Sequence, residues 1–371
     1  MNILALNWQD LTNPQAGGAE VHLEELLRRI VRQGHKVTLF CSAYKDSKPE
    51  EVIEGIRIIR RGNRYNFNLI APFALRKLTR QEKFDVLIED INKIPFYTPL
   101  YLKIPTLVVV PHLFSTTVFK EINFLLGLYI YFSEKPLVPV YRGRKFNVIS
   151  DSTADDISNR GIPRSDISVT HCGIDSDTYQ FDPSIKKFDR PTILYLGRVK
   201  KYKSIDHLLQ AFHIIQQRIP DAQLKIVGGG DYLPKLISLA GQLKIDSKVE
   251  FPGYVSRERK VELMRRCQVA VYPSLKEGWG LTNIEANACS TTVVAANVPG
   301  LRDSVVDGET GFLYEYGNIN ELAERLERIL LDTPLRLRLE KGGLEWAKRF
   351  DWDIAAEEFM EALEIAAGQG R

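Results

Sequence analysis

Lys276-Glu277-Gly278-Trp279-Gly280-Leu281-Thr282-Asn283-Ile284-Glu285-Ala286 is the stretch on which the reading of this chain turns. Just before it, Val269-Ala270-Val271-Tyr272 is a short apolar run stopped by Pro273 and Ser274, which predicts a buried parallel strand. Just after it, Ile284 to Ala288 carries good helix formers, so the order is strand, glycine-rich loop, helix. Gly278 and Gly280 allow close backbone approach, and the N–H groups that open a helix favour an anion. Glu277 sits at the strand end, and Glu285 lies 285 − 277 = 8 positions on, within the first turns of the helix. An anion between two carboxylates is consistent only with a ligand that offers phosphates to the backbone and hydroxyls to the acids. A nucleotide sugar does both.

Two glutamates at a given separation occur by chance in most chains of this size. Here the loop follows a strand and Glu-Gly-Trp-Gly-Leu-Thr is contiguous, which separates it from coincidence. The E-x7-E pattern resembles the retaining glycosyltransferases of family 4 (glycosyl transferases group 1), which have the GT-B fold. That resemblance implies an α/β architecture of two Rossmann-like doubly wound parallel-sheet domains facing a cleft, with a C-terminal helix crossing back to the first.

The 371 residues exceed what one hydrophobic core holds and suit two domains. Hydrophobic content of 44% and charged content of 26% are those of an ordinary globular chain. Lys+Arg 50 against Asp+Glu 47 gives +3, too small a balance to indicate nucleic acid. Cys41, Cys172, Cys267 and Cys289 are scattered without a C-x-x-C pair, so a reduced cytoplasmic setting without structural zinc is expected. Asn2 to Leu6 is strand-like, with neither a basic n-region nor a cleavage site, so it does not read as a signal peptide. No segment has the length to span a bilayer. The uncharged run Ile122 to Ser133 comes nearest and reads first as a buried helix, second as a membrane or lipid contact.

Strand-like and helix-like segments alternate from residue 1 to about 180. Ile3 to Leu6 is the first strand, Ala19 to Gln33 a helix closed by Gly34, and Val37 to Phe40 the second strand. Further strands are expected at Val52 to Ile59, Val86 to Ile88, Thr106 to Val110 and Phe146 to Ile149. Gly17-Gly18 opens the first helix, but G-x-G-x-x-G is absent and the second strand does not end in an acid, which weakens a dinucleotide reading. As plain structure the pair is a tight turn; the resemblance places it near the donor diphosphate and acceptor. His112 ends a buried strand, where a lone histidine is ordinarily a satisfied polar residue; the resemblance implies contact with the donor sugar or its phosphate.

Asp175-Ser176-Asp177 mimics a D-x-D metal motif, but without a third ligand it reads as structural, in the family's Gly-Ile/Val-Asp loop. Periodicity is lost between Tyr179 and Pro191, the expected linker. The expected domains are therefore 1–182, which takes the acceptor, 183–350, which takes the nucleotide sugar, and a returning helix at 351–371.

In the second domain, Thr192 to Gly197 is a strand followed by Arg198 and Lys203, 203 − 198 = 5 apart, which matches the family's Gly-Arg-x(4)-Lys pattern. A guanidinium fork and an ammonium converging on a diphosphate neutralise the charge that grows as it leaves; the bland alternative is a solvated basic turn, since Lys200 and Lys201 lie there too. By resemblance Gly229, Gly230, Tyr254 and Val255 belong to the nucleotide pocket. Gly278, Trp279, Gly280, Leu281 and Thr282 meet the donor, Glu277 takes the sugar hydroxyls and Glu285 the ribose. Arg198, Lys203, Glu277 and His112 are the implied catalytic set, with no metal and no cofactor beyond the donor as co-substrate. After Cys289 the family has Gly-Thr-Pro where Ser290-Thr291-Thr292 stands, so a turn less preset is expected.

The implied partners are a UDP- or GDP-sugar and a glycan or lipid-linked acceptor, with an anionic membrane surface and no nucleic acid. Basic clusters at Arg28-Arg29, Arg60-Arg61, Arg76-Lys77-Arg80 and Arg142-Arg144-Lys145 flank the apolar run and favour a cytoplasmic protein peripheral to the inner membrane face; an ordinary solvated face is the alternative. A nucleotide-sugar 2-epimerase on the same scaffold, or a non-catalytic nucleotide-sugar-binding subunit, are the rival functions.

Overall fold

The computed structural model describes residues 1–114, 118–121 and 123–368. It divides into two compact units, Met1–Gly173 with Trp352–Arg371, and Ile174–Asp351. In the first unit, β1 (Asn2–Leu6), α1 (Gly18–Arg32), β2 (Lys36–Ser42), β3 (Glu50–Ile53), β4 (Ile56–Arg61), α2 (Phe67–Gln81), β5 (Val86–Asp90) and β6 (Thr106–Val110) come first. They are followed by α3 (Val118–Glu121), α4 (Phe124–Glu134), α5 (Leu137–Tyr141), β7 (Lys145–Val148), α6 (Asp151–Asn159) and β8 (Ile167–Val169). The strands order as β3-β4-β2-β1-β5-β6-β7-β8, parallel except for the β3–β4 hairpin. Ile3 to Leu6 and Leu107 to Val110 are wholly buried, because helices cover both faces of a parallel sheet.

The second unit carries β9 (Thr192–Leu196), α7 (Ile205–Arg218), β10 (Gln223–Val227), α8 (Leu233–Gln242), β11 (Val249–Gly253), α9 (Arg257–Arg266) and β12 (Val269–Tyr272). Then come α10 (Leu281–Ala288), β13 (Thr292–Ala296), α11 (Leu301–Ser304), β14 (Gly311–Tyr314), α12 (Ile319–Leu331) and α13 (Thr333–Ala347). Its sheet is parallel, ordered β11-β10-β9-β12-β13-β14. Val293, Val294, Leu208 and Leu326 are among its fully buried side chains, each worth about 1.5–3 kcal/mol of burial. The order reverses between β9 and β12, and in the first unit between β1 and β5. Open α/β sheets bind ligands at the carboxyl ends of such strands.

Three expectations shift. The strand expected over Val52 to Ile59 is a hairpin, because Glu54 (φ 50°) and Gly55 (φ 82°) form a tight turn of positive dihedrals. The aperiodic segment expected as linker is laid on the second unit: Phe188 N–H donates to Arg266 O at 2.7 Å, and Gln268 Nε2 donates to Phe188 O at 2.7 Å. The division falls at Gly173–Ile174 instead, and the last helix, α14 (Trp352–Gly368), joins the first unit. There Arg29 Nε donates to Asp353 Oδ1 at 2.5 Å. Ser290, where the family has glycine, takes φ 57°, and its carbonyl accepts from Lys187 Nζ at 2.7 Å. Finally, α4 is not a buried helix: Phe124, Leu125, Leu126, Tyr129 and Phe132 are exposed, while Ile122 lies outside the described residues. Among the described residues no helix is long and apolar enough to cross a membrane.

Candidate functional site

Two loops at the switch point of the second unit bring charged side chains together. One follows β9, from Gly197 to the single turn Lys201–Lys203; the other follows β12, from Pro273 to Gly280. Leu275 N–H donates to Tyr202 O at 2.9 Å, which ties the two together and brings Lys203 Nζ into an ion pair with Glu277 Oε1. The side chains are 14% and 21% exposed. Burial opposes the charge on each, but the attraction outweighs it: the Glu277 carboxyl lies below its ordinary pKa and the Lys203 ammonium above. Glu277 is therefore an ionised acceptor with lone pairs for hydroxyls, and Lys203 a fixed cation.

Glycine is required around this pair by contact. A Cβ on Gly300 (φ 83°) would stand 2.2 Å from Glu277 O, so the Pro299-Gly300 turn seats the loop main chain. Gly280 (φ 86°) precedes α10, and a Cβ there would stand 2.7 Å from Ser304 Oγ. The α10 N-terminus at Leu281 and Thr282 presents N–H groups that have no acceptor within the helix. Arg198 is exposed on the same β9 loop, with Nη2 donating to Tyr202 Oη at 3.2 Å.

Glu285 lies one turn into α10, with its side chain 8% exposed. Lys260 of α9 donates to Glu285 Oε2 at 2.7 Å and to Tyr179 Oη at 2.9 Å. Burial pulls the Lys260 pKa down, and the Glu285 carboxylate more than offsets it, so the ammonium lies above its ordinary value. Sequence reasoning missed Lys260 and Tyr179. No spacing rule links positions 179, 260 and 285; only the sheet order does.

Gly228-Gly229-Gly230 has a main-chain explanation. A Cβ on Gly228 would stand 1.9 Å from Gly197 O, and one on Gly230 would stand 2.0 Å from Val199 O. Val199 N–H donates to Gly229 O at 2.8 Å, and Gly228 N–H to Gly253 O at 2.8 Å, so three strand-end loops are knitted together. Tyr254, 80% exposed, lays its ring edge over Gly229, where a Cβ would meet Cε2 at 2.4 Å, and half-buried Val255 follows. Trp279 differs from what a ligand contact needs of its side chain. The indole is 3% exposed and edge-on to Phe350 at 5.2 Å, whereas Gly278 beside it is half-buried.

Gly17, Gly18 and His112 belong to the first unit, also at strand carboxyl ends, after β1 and β6. Gly17 N–H donates to Glu20 Oε2 at 2.7 Å, which caps α1. A Cβ on Gly18 would meet nothing within 4 Å, so packing within the chain does not demand that glycine. The half-buried His112 ring is 5.1 Å from that of Phe114. Sequence reasoning also passed over Asp90 at the end of β5, which is fully buried, near Glu20 and Lys93. Burial pushes its carboxyl well above the ordinary range, and Glu20 adds to that. Asp175 is a turn residue, as expected: it accepts from Thr178 N at 3.2 Å and Oγ1 at 2.9 Å and pairs with Arg257. Among the described residues no group of three or more His, Cys, Asp or Glu could hold a metal ion.

Comparison with known proteins bears on both units. Residues 16–178 match the profile described as Glycosyltransferase Family 4, and residues 177–346 that described as Glycosyl transferases group 1. The chain is 28% identical to a phosphatidyl-myo-inositol mannosyltransferase of Mycobacterium leprae, across 95% of this chain and 94% of that protein. It is 33% identical to a D-inositol 3-phosphate glycosyltransferase of Mycolicibacterium smegmatis over 58% of this chain and 51% of that one. Among solved structures, a sucrose-phosphate synthase from Thermosynechococcus elongatus superposes with a TM-score of 0.80 at 21% identity, covering 97% of this chain and 98% of that one. Anabaena HepE in complex with UDP and glucose gives 0.77 at 19% identity, covering 98% and 99%. Both share the two-domain parallel-sheet fold.

Proposed function

Because the chain belongs to the family 4 glycosyltransferases of group 1, we propose that it is a retaining enzyme. It moves a hexosyl unit from a UDP- or GDP-sugar to a hydroxyl of a glycan or lipid-linked acceptor. The observation that carries this reading is the Lys203–Glu277 ion pair beside the α10 N-terminus. It joins a hydroxyl-binding carboxylate to two kinds of phosphate-binding group. The relatives named for inositol-containing acceptors support a phosphorylated or lipid-borne acceptor, and the neighbour with bound UDP supports a uridine donor.

In this reading the donor diphosphate lies against the N–H groups of Leu281 and Thr282, with Lys203 and Arg198 neutralising it. The Tyr254 ring, the main chain of Gly229, Gly230 and Val255, and Glu285 receive the nucleoside. Glu277 accepts hydrogen bonds from the sugar. Glu277 does not attack the anomeric carbon: paired with Lys203, it is a poor nucleophile and a good acceptor. The bond from anomeric carbon to phosphate oxygen breaks, an oxocarbenium-like centre forms, and the acceptor hydroxyl adds from the same face. Its proton passes to the departing phosphate oxygen. Arg198, Lys203 and the helix dipole stabilise the charge developing on the diphosphate, so the step runs without a divalent metal or other cofactor. The enzyme works in the cytoplasm, peripheral to the inner membrane face.

The deciding experiment offers UDP- and GDP-hexoses with a panel of soluble sugars, inositol phosphates and lipid-linked sugars, and reads the anomeric configuration of the product by NMR. An inverted product, or turnover of the nucleotide sugar to its 2-epimer with no transfer, would overturn the proposal.

A further inference from the structure

We infer that α2 and α4 together form a docking surface for an anionic lipid bilayer, an inference that rests on the peripheral placement proposed above and names its surface. Helix α4 has no Lys, Arg or Asp, and its one acid, Glu134, is turned inward, where Oε1 accepts Phe114 N–H at 2.6 Å. What α4 shows to solvent is Phe124 (67% exposed), Leu125 (78%), Leu126 (46%), Tyr129 (49%) and Phe132 (62%). A helix that only covers its own core puts such residues inside, with polar ones outward. Helix α2 lies beside it, Asn68 Nδ2 donating to Tyr129 Oη at 2.8 Å. Its outer face runs Leu69, Phe73, Arg76, Lys77 and Arg80, apolar at one end and basic at the other. Phe73, Arg76, Lys77, Arg80 and Gln81 line an open groove there.

The charge argument is one that only the fold supplies. Of the four basic clusters in the first unit, three are partly neutralised: Arg28 and Arg29 are ion-paired to Glu25, Arg60 is buried against Asp10, and Lys145 is paired with Asp166, whereas Arg61, Arg142 and Arg144 have no ion pair among the described residues. Among the described residues, no carboxylate lies within ion-pair distance of Arg76, Lys77 or Arg80, and α2 contains no Asp or Glu. A second copy docking face to face would set these cations against themselves. An anionic bilayer satisfies both halves of the surface at once: lipid phosphates meet the α2 cations, and the interfacial acyl region takes the α4 rings and leucines.

Flotation of the whole protein with phosphatidylcholine vesicles, with and without phosphatidylglycerol, at low and high salt tests this without donor or acceptor present. A failed acceptor assay and a failed docking assay thus stay distinguishable. The protein is expected to float with phosphatidylglycerol vesicles at low salt and to release at high salt. R76Q/K77Q/R80Q should lower the anionic partition coefficient about tenfold or more. L125N/F132N should lower it on both vesicle types, and the exposed control R142Q should not change it. Unchanged unfolding midpoints show that the variants fold. The inference is overturned if the wild type stays with the soluble fraction on anionic vesicles at low salt, or if both surface variants float like it. It is equally overturned if light scattering shows that L125N/F132N dissociates a dimer, which would make a second copy the occupant.

Discussion

Lys260 Nζ stands 2.7 Å from Glu285 Oε2 and 2.9 Å from Tyr179 Oη, so a lysine from α9 holds the α10 carboxylate in one place. Glu285→Gln should weaken both free nucleoside diphosphate and intact donor by about 1–3 kcal/mol, the loss of a charged hydrogen bond. Lys260→Met should weaken the free nucleotide in the same direction. Glu277→Gln should hurt chiefly the intact donor. Calorimetric titration of both ligands against the three variants decides the assignment. A free nucleotide indifferent to Glu285→Gln would remove the ribose role.

The proposed leaving-group stabilisation rests on Arg198, Lys203 and the α10 N-terminus. Turnover should therefore persist in excess chelator, and Lys203→Met should lower kcat/KM about a hundredfold or more. Complete loss with chelator, restored by magnesium or manganese, would refute this account.

Stability should depend on pH through two neighbours on α1. Burial raises the Glu24 carboxyl from 4.5 to about 7, while burial lowers His22 from 6.5 to about 4. For Glu24 the folded state holds the proton longer, so its contribution falls as pH rises from 4.5 to 7. For His22 the unfolded state takes the proton first, so its contribution falls as pH drops from 6.5 to 4. Glu24→Gln should therefore stabilise by about 1–3 kcal/mol above pH 7, a gain that shrinks towards pH 4.5. His22→Leu should flatten the acid limb. Urea midpoints across this range test both signs.

Ser290 takes a left-handed conformation at φ 57°, which costs a non-glycine residue about 1 kcal/mol. Ser290→Gly should raise stability by up to about that amount, since the Lys187 bond goes to a carbonyl the variant keeps. An unchanged or lower urea midpoint would show that another interaction holds the turn.

Both parallel sheets and the order strand, glycine loop, helix around Glu277 were legible in the sequence, because a buried parallel strand is a continuous apolar run and glycines mark its exit. Arg198, Lys203, Glu277 and Glu285 could be singled out because each lies a fixed few residues beyond such a run. What no local pattern could reveal was pairing across the sheet. Lys203 meets Glu277, and Lys260 meets Glu285, because β9 and β12 are neighbours at the point where strand order reverses. The burial of the Trp279 indole could not be read locally either, since it depends on Phe350, distant in sequence. Four basic clusters looked equivalent until the fold supplied carboxylates to members of three of them, Arg28, Arg29, Arg60 and Lys145, and to none of Arg76, Lys77 and Arg80. Short-range sterics and periodicity act within a few residues and are written in order along the chain. Charge pairing and burial act through space, and only the tertiary structure decides which residues are close.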